Sequence, residues 1–276
     1  MWFKEKETLT EEDVQRGMKA IIKDGMASTA MATCTGGVFL TAFALALGAS
    51  NSIIGLLAAI GPLVQLVQIP SIYLVEKIRN RRAIVVISSF IGRTFWLLIA
   101  AIPFIFSYQI GIKVLIFGMT MHALFVDVAG TAWGPWLRDI LPQDKLGNFF
   151  SKRMIMSTVL GILLSLAAAF YIDQWKNFFP DQIMGGYSIL FVFGFIAGMI
   201  GLYFLSTIPE PRMAKPEGKM NFIRMLGTPF KNENFKNLML FSGSWTFAVN
   251  LAAPFFTVYM IKRLNMKCRL LLDSPY

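Results

Sequence analysis

The sequence predicts an all-α protein, a polytopic bundle of transmembrane helices with a cytoplasmic N-terminus, and three observations predict it. Hydrophobic residues make up 55% of the 276 residues and charged residues 15%, with a mean hydropathy of +0.58, too apolar for an ordinary soluble domain. From Gly25 to Val75 run 51 consecutive residues without a charged side chain, where roughly 20 suffice to cross a hydrocarbon core. The 26 lysines and arginines, which leave a net charge of +10, sit almost entirely between apolar runs. That placement is a topology signal and excludes a nucleic-acid partner.

Residues 1–24 form the first segment, expected in the cytoplasm or at the membrane interface. Thr10 and Asp13 have capping-box spacing, and Val14, Met18, Ile21 and Ile22 follow at helical spacing. This segment is expected either to lie as an amphipathic helix on the inner membrane surface or to extend the first span. Its mixed charges and the absence of a small-residue cleavage site argue against a cleaved leader.

Apolar runs between charged or Pro/Gly-rich breaks then give seven spans, at about 25–47, 53–75, 83–107, 111–133, 154–172, 185–208 and 237–260. The first six form a transmembrane unit over 25–208. Gly48-Ala49-Ser50-Asn51-Ser52 is short enough to make spans one and two an antiparallel hairpin. A basic, proline-containing linker over 209–236 separates the sixth span from a seventh helix in 237–262, and 263–276 is an atypical tail. With the N-terminus inside, inner segments hold nineteen lysines and arginines, whereas outer segments between spans hold only Lys113 and Lys176. Positive charge is retained in the cytoplasm, so this bias sets the orientation. The expected location is the cell membrane. Cys34 and Cys268 have no metal-ligand or redox spacing.

A charge inside a bilayer is costly, which makes each intramembrane ionisable residue a functional candidate. Three stand out: Arg93, His122 and Asp127. The depth of Arg93 in span three and of Asp127 in span four allows them to pair or to face one polar cavity. The alternatives are a fixed interhelical salt bridge, or Asp127 reaching the inner headgroups. His122 lies five residues from Asp127, about 140° around the helix, so the two are not one metal or relay pair. It is read either as a packed, hydrogen-bonded residue or as a direct participant. Gln65 and Gln68 share a face of span two and need partners, either in a cavity or on another helix. Gly161, Ser165 and Ala169 in span five, and Gly194 and Gly198 in span six, read as helix-packing stripes.

Two inner connections carry a resemblance. LVEKIRNRR, residues 74–82, resembles the loop after the second helix of the major facilitator superfamily, whose pattern is Gly-x-Leu-x-Asp-Arg-x-Gly-Arg-Arg. Glu76 stands at the aspartate position, Lys77 at the first basic position, and Arg81 and Arg82 near the terminal pair; Arg79 or Asn80 replaces the turn glycine. AWGPWLRDILPQDKLGNFFSKR, residues 132–153, is similar to the loop between helices four and five of bacterial permeases of that family. Trp136, Asp139, Pro142, Gly147, Phe149, Phe150 and Arg153 match, while Leu146 and Asn148 replace two arginines. The basic linker and residues 234–260 are similar to the start of such a permease's second half.

The resemblance implies a six-helix N-terminal half plus the seventh helix of a secondary transporter for a small solute, in which two halves rock about a central site. It implies that Glu76, Lys77, Arg81, Arg82, Asp139, Gly147 and Arg153 belong to cytoplasmic gating loops. Asp24, at the start of span one, and Asp127 are the acids placed to exchange protons with a cavity, if protons or another ion drive transport. The chain is then expected to be truncated and to need a missing C-terminal half or self-association. The rival expectation is a non-transporting membrane protein, such as an assembly or regulatory partner or a degenerate fragment. A seven-helix receptor or retinal protein fits poorly, because its N-terminus lies outside and span seven has no mid-membrane lysine. No catalytic or metal motif is present: one histidine cannot supply a His-Glu-x-x-His site, so neither an enzyme nor a cofactor is expected.

Overall fold

In the computed structural model the structure describes residues 5–142, 146–213 and 231–263. Most of the expected linker and tail therefore lie outside the described residues. Helix α1 (Glu11–Thr35) begins at the expected capping box: the Thr10 side chain accepts the Asp13 amide, and the Asp13 carboxylate accepts the Thr10 amide. It runs unbroken from its charged first turns into the apolar run. Residues 11–24 thus extend span one and do not form a separate surface helix, because nothing between them and Thr35 interrupts the backbone ladder. Gly37, at φ +53°, takes the left-handed conformation that lets the chain step from α1 into α2 (Gly37–Ala46).

The turn after α2 uses Gly48 at φ +84°, and Ser50 caps α3 (Asn51–Val64) by accepting the Ile53 amide. A 3-10 turn over Gln65–Val67 joins α3 to α4 (Gln68–Ile78). Pro70 has no N–H for the carbonyl four residues back, which favours this tightened turn inside a long helix. Helix α4 ends at Arg79 in the left-handed region, φ 58° and ψ 14°, and Asn80 caps α5 (Arg81–Ile105) through the Ala83 amide. Then follow α6 (Tyr108–Ile140), α7 (Leu146–Phe178), α8 (Ile183–Thr207) and α9 (Glu233–Lys262). Two short strands, β1 (Glu5–Lys6) and β2 (Glu210–Pro211), pair in parallel.

Six helical segments among the described residues are long and apolar enough to cross a membrane: Glu11–Ala46, Asn51–Ile78, Arg81–Ile105, Tyr108–Ile140, Leu146–Phe178 and Pro180–Thr207. The chain is thus an all-α, multi-pass membrane protein. The seventh expected span is helix α9, long enough at 30 residues; Ser242, Ser244, Thr246 and Asn250 keep it more polar than those six.

Helix α1 packs on α8 and α7, α5 on α6 and α8, α3 and α4 on α6, and α9 on α3 and α2. Close packing is a matter of small residues, since apolar side chains gain little over lipid. A Cβ on Gly194 would lie 2.6 Å from Thr35 Cγ2, and one on Gly161 3.4 Å from Thr29 Cγ2, so both stripes face α1. The core divides into two apolar clusters. One gathers Phe43, Trp96, Ile99, Tyr187 and Phe191, with Phe43 and Phe191 edge to face at 5.1 Å. The other gathers Ile21, Val85, Trp136, Leu137, Phe149 and Leu205. Along α1, α5 and α8, the polar residues Asp24, Arg93 and the glycine at 198 fall between the two.

Candidate functional site

The polar layer is built around Arg93. Its side chain is 8% exposed and lies 3.8 Å from the Asp24 carboxylate, which is 6% exposed. Ser28, one turn after Asp24, bridges them: its hydroxyl donates to Asp24 Oδ1 at 3.2 Å and accepts from Arg93 Nη2 at 3.1 Å. Arg93 Nη1 donates to the Gly198 carbonyl. Glycines make this approach feasible, because a Cβ on Gly201 would sit 3.1 Å from Asp24 Oδ1 and one on Gly198 3.3 Å from Arg93 Cδ. Three helices thus share one ion pair. An arginine or aspartate at mid-helix costs about 2.5–3.5 kcal/mol on insertion scales, and pairing with further hydrogen bonds offsets that cost.

Arg153, on α7, lies next to this pair. A Cβ on Gly25 would be 2.5 Å from Arg153 Nε, so only glycine leaves room for the guanidinium there. Its guanidinium stacks 5.3 Å from the Trp133 ring, and Nε is buried without a hydrogen-bond partner. Asp24, Ser28, Ser89, Arg93, Trp133 and Arg153 line a cavity of about 180 Å³.

This geometry replaces the expected pairing of Arg93 with Asp127. Asp127 instead accepts a hydrogen bond from Gln68 Nε2 at 3.1 Å, joining α4 to α6. The physical reason is reach along α1: Asp24 is not at the border of a span but thirteen residues into a continuous helix, buried opposite Arg93. Gln65 is exposed at the 3-10 turn and does not share the Gln68 contact. His122 is a packed residue: Nε2 accepts from the Trp96 indole at 3.3 Å, which assigns the ring proton to Nδ1, donating to the Gly92 carbonyl at 2.8 Å.

The second polar cluster lies at one end of the bundle, where the N-terminal segment, the α4–α5 turn, the end of α6 and the strand after α8 meet. Arg81, 3% exposed, bonds Asp139 at 2.6 Å and the fully buried Glu210 at 3.2 Å. Glu210 also accepts the Arg82 amide at 2.8 Å, and Trp136 donates to the Pro209 carbonyl at 3.0 Å. Burial pushes the Glu210 carboxyl above its ordinary value of 4.5, against the Arg82 amide and the Arg81 charge. The β1–β2 pair and the Lys6–Asp13 bridge, 2.7 Å, tie the N-terminus to the same cluster.

Of the residues expected in gating loops, Arg81, Arg82 and Asp139 therefore come together, whereas Arg153 turns into the polar cavity. Glu76 offers its carbonyl to Arg79 Nε at 3.3 Å, and Lys77 is exposed. Gly147 is exposed in the first turn of α7 and is not a turn glycine, and residues 143–145 before it lie outside the described residues. Sequence reasoning missed Gly25, Ser28, Ser89, Trp133, Gly201 and Glu210. The spacings of Ser28 four after Asp24 and Ser89 four before Arg93 were signals for two of them. No protein-family model, no curated protein and no solved structure matches the chain.

Proposed function

We propose that the chain is part of a secondary transporter of the major facilitator type, moving a small solute across the cell membrane by alternating access. The observation that carries this reading is the polar cavity held between two apolar clusters in the middle of the bundle. A buried Asp–Arg pair bridged by a serine is costly in a membrane, and a solute path is a function that repays such a cost. In this reading α9 is a seventh span, the first helix of a second body. The Arg81–Asp139–Glu210 cluster is an inner gate that holds helix ends together in one state and parts in the other. Two bodies are needed for rocking, so the reading includes self-association, a second copy of this chain supplying the other body against α3 and α7. Exposed Leu63 and Leu66 on that side, and Met154 and Ile155 on α7, offer apolar surface for it or for lipid.

The rival reading, a non-transporting assembly or regulatory partner, is favoured by the same apolar surfaces. Solute counterflow into proteoliposomes separates the two. Transport predicts saturable counterflow of at least one small solute, lost in Arg93→Gln; a folded, reconstituted protein with no counterflow for any solute in a broad panel refutes it.

A further inference from the structure

We propose that the cavity beside Arg153 binds a small anion of single net charge, with the chemistry of a monocarboxylate; its role as the substrate site rests on the transporter reading, but the binding does not. The two arginines of the cavity differ in their partners. Arg93 is committed: Asp24 balances its charge, and Ser28 and the Gly198 carbonyl take its donors. Arg153 is not. Among the described residues it forms no salt bridge, its Nε is buried with no acceptor, and its guanidinium rests on Trp133. One aspartate against two arginines leaves the cavity lining with a single unbalanced positive charge, at a place where lipid surrounds the bundle. A carboxylate is planar and accepts two parallel N–H bonds, which matches the fork that a guanidinium presents.

Size narrows the ligand. About 180 Å³ is the volume of about six water molecules, so the cavity takes a solute of about six non-hydrogen atoms and not a nucleotide or a sugar phosphate. Ser89 supplies a hydroxyl on the wall for a polar substituent, and Trp133 lines the cavity beside the guanidinium. Gly25 is part of the site in the same sense, since a side chain there would displace the guanidinium.

The test uses the whole purified chain in detergent and lactate as the probe, followed by tryptophan fluorescence, with lactamide and inorganic phosphate in parallel. Saturable lactate binding is expected, with no response to lactamide. Affinity should fall at least tenfold in Arg153→Gln, recover in part in Arg153→Lys, and stay unchanged in Lys113→Gln, which removes an exposed charge far from the cavity. An unaltered thermal transition shows that each variant is folded. No lactate binding, equal binding of lactamide, saturation by phosphate alone, or an unchanged affinity in folded Arg153→Gln each overturns the proposal. Labelled lactate in proteoliposomes keeps the two readings apart. Binding without counterflow of any solute sinks the transporter and leaves the anion site. Counterflow of a neutral solute without lactate binding does the reverse.

Discussion

Removing the Glu210 side chain should break the cluster at the end of the bundle in a way that removing only its charge does not. Glu210 is fully buried and accepts from Arg81 Nε at 3.2 Å and from the Arg82 amide at 2.8 Å. In Glu210→Ala both donors lose their acceptor. Breaking a buried pair by deleting one partner costs about 3–5 kcal/mol. Arg81 keeps Asp139 at 2.6 Å, but that carboxylate is 52% exposed and partly screened, which places the expected loss near the lower end, about 3 kcal/mol. Glu210→Gln preserves shape and the acceptor for the Arg82 amide. Its amide cannot also accept from Arg81 Nε, so the glutamine variant should cost about 1–2 kcal/mol, with one buried donor unsatisfied instead of two. Unfolding free energies from SDS titration in mixed micelles measure both, and the Arg81→Ala/Glu210→Ala double variant should lose less than the sum of the single variants. Equal stabilities for the alanine and glutamine variants would refute the buried-pair argument.

The same group gives a pH dependence. Its folded pKa is raised, so its stabilising contribution is present below the ordinary value of 4.5 and is lost as pH rises through the elevated value. The wild type should therefore lose stability as pH rises above 4.5 by an increment that Glu210→Gln lacks, read from SDS titrations at several pH values. Gly25→Ala places a methyl 2.5 Å from Arg153 Nε; the flexible arginine should move aside, so the thermal transition changes little while lactate affinity falls as in Arg153→Gln. Gly194→Ala presses on Thr35 Cγ2 at 2.6 Å and the Cys34 Cβ at 3.2 Å, overpacking the α1–α8 contact at a cost of about 1–3 kcal/mol by the same titration. Arg79 holds φ 58°, a conformation that glycine adopts freely, so Arg79→Gly should stabilise by about 0.5–1 kcal/mol and Arg79→Val should destabilise.

How much of this was legible in the sequence depends on the kind of signal. The first six spans could be read because a bilayer demands long charge-free runs, and the Thr10 capping box and the Gly48 turn are local chemistry. The Arg93 partner is Asp24 and not Asp127 because of where helix α1 starts. An apolar run reads as beginning where charges stop, so Asp24, itself buried, stands at a border in the sequence. Helix α1 in fact begins at Glu11, and the true pair spans 69 positions of sequence. Arg153 reads as a loop residue because it closes a loop motif; that it turns inward depends on Gly25 on another helix. Glu210 lay among prolines in what reads as a linker, and only the meeting of four chain segments at one end of the bundle makes it a buried acceptor. The small-residue stripes were legible as packing, but not that Gly198 also supplies a carbonyl to Arg93.

The central claim, that the polar cavity opens to each side of the membrane in turn, is tested most directly at Ser89, which lines the cavity one turn from Arg93. In a chain whose Cys34 and Cys268 are replaced by serine, Ser89→Cys is exposed to a membrane-impermeant thiol reagent in right-side-out and in inverted vesicles. Alternating access predicts labelling from both faces, slowed in both by lactate. Labelling from one face only, or from neither, would contradict the account.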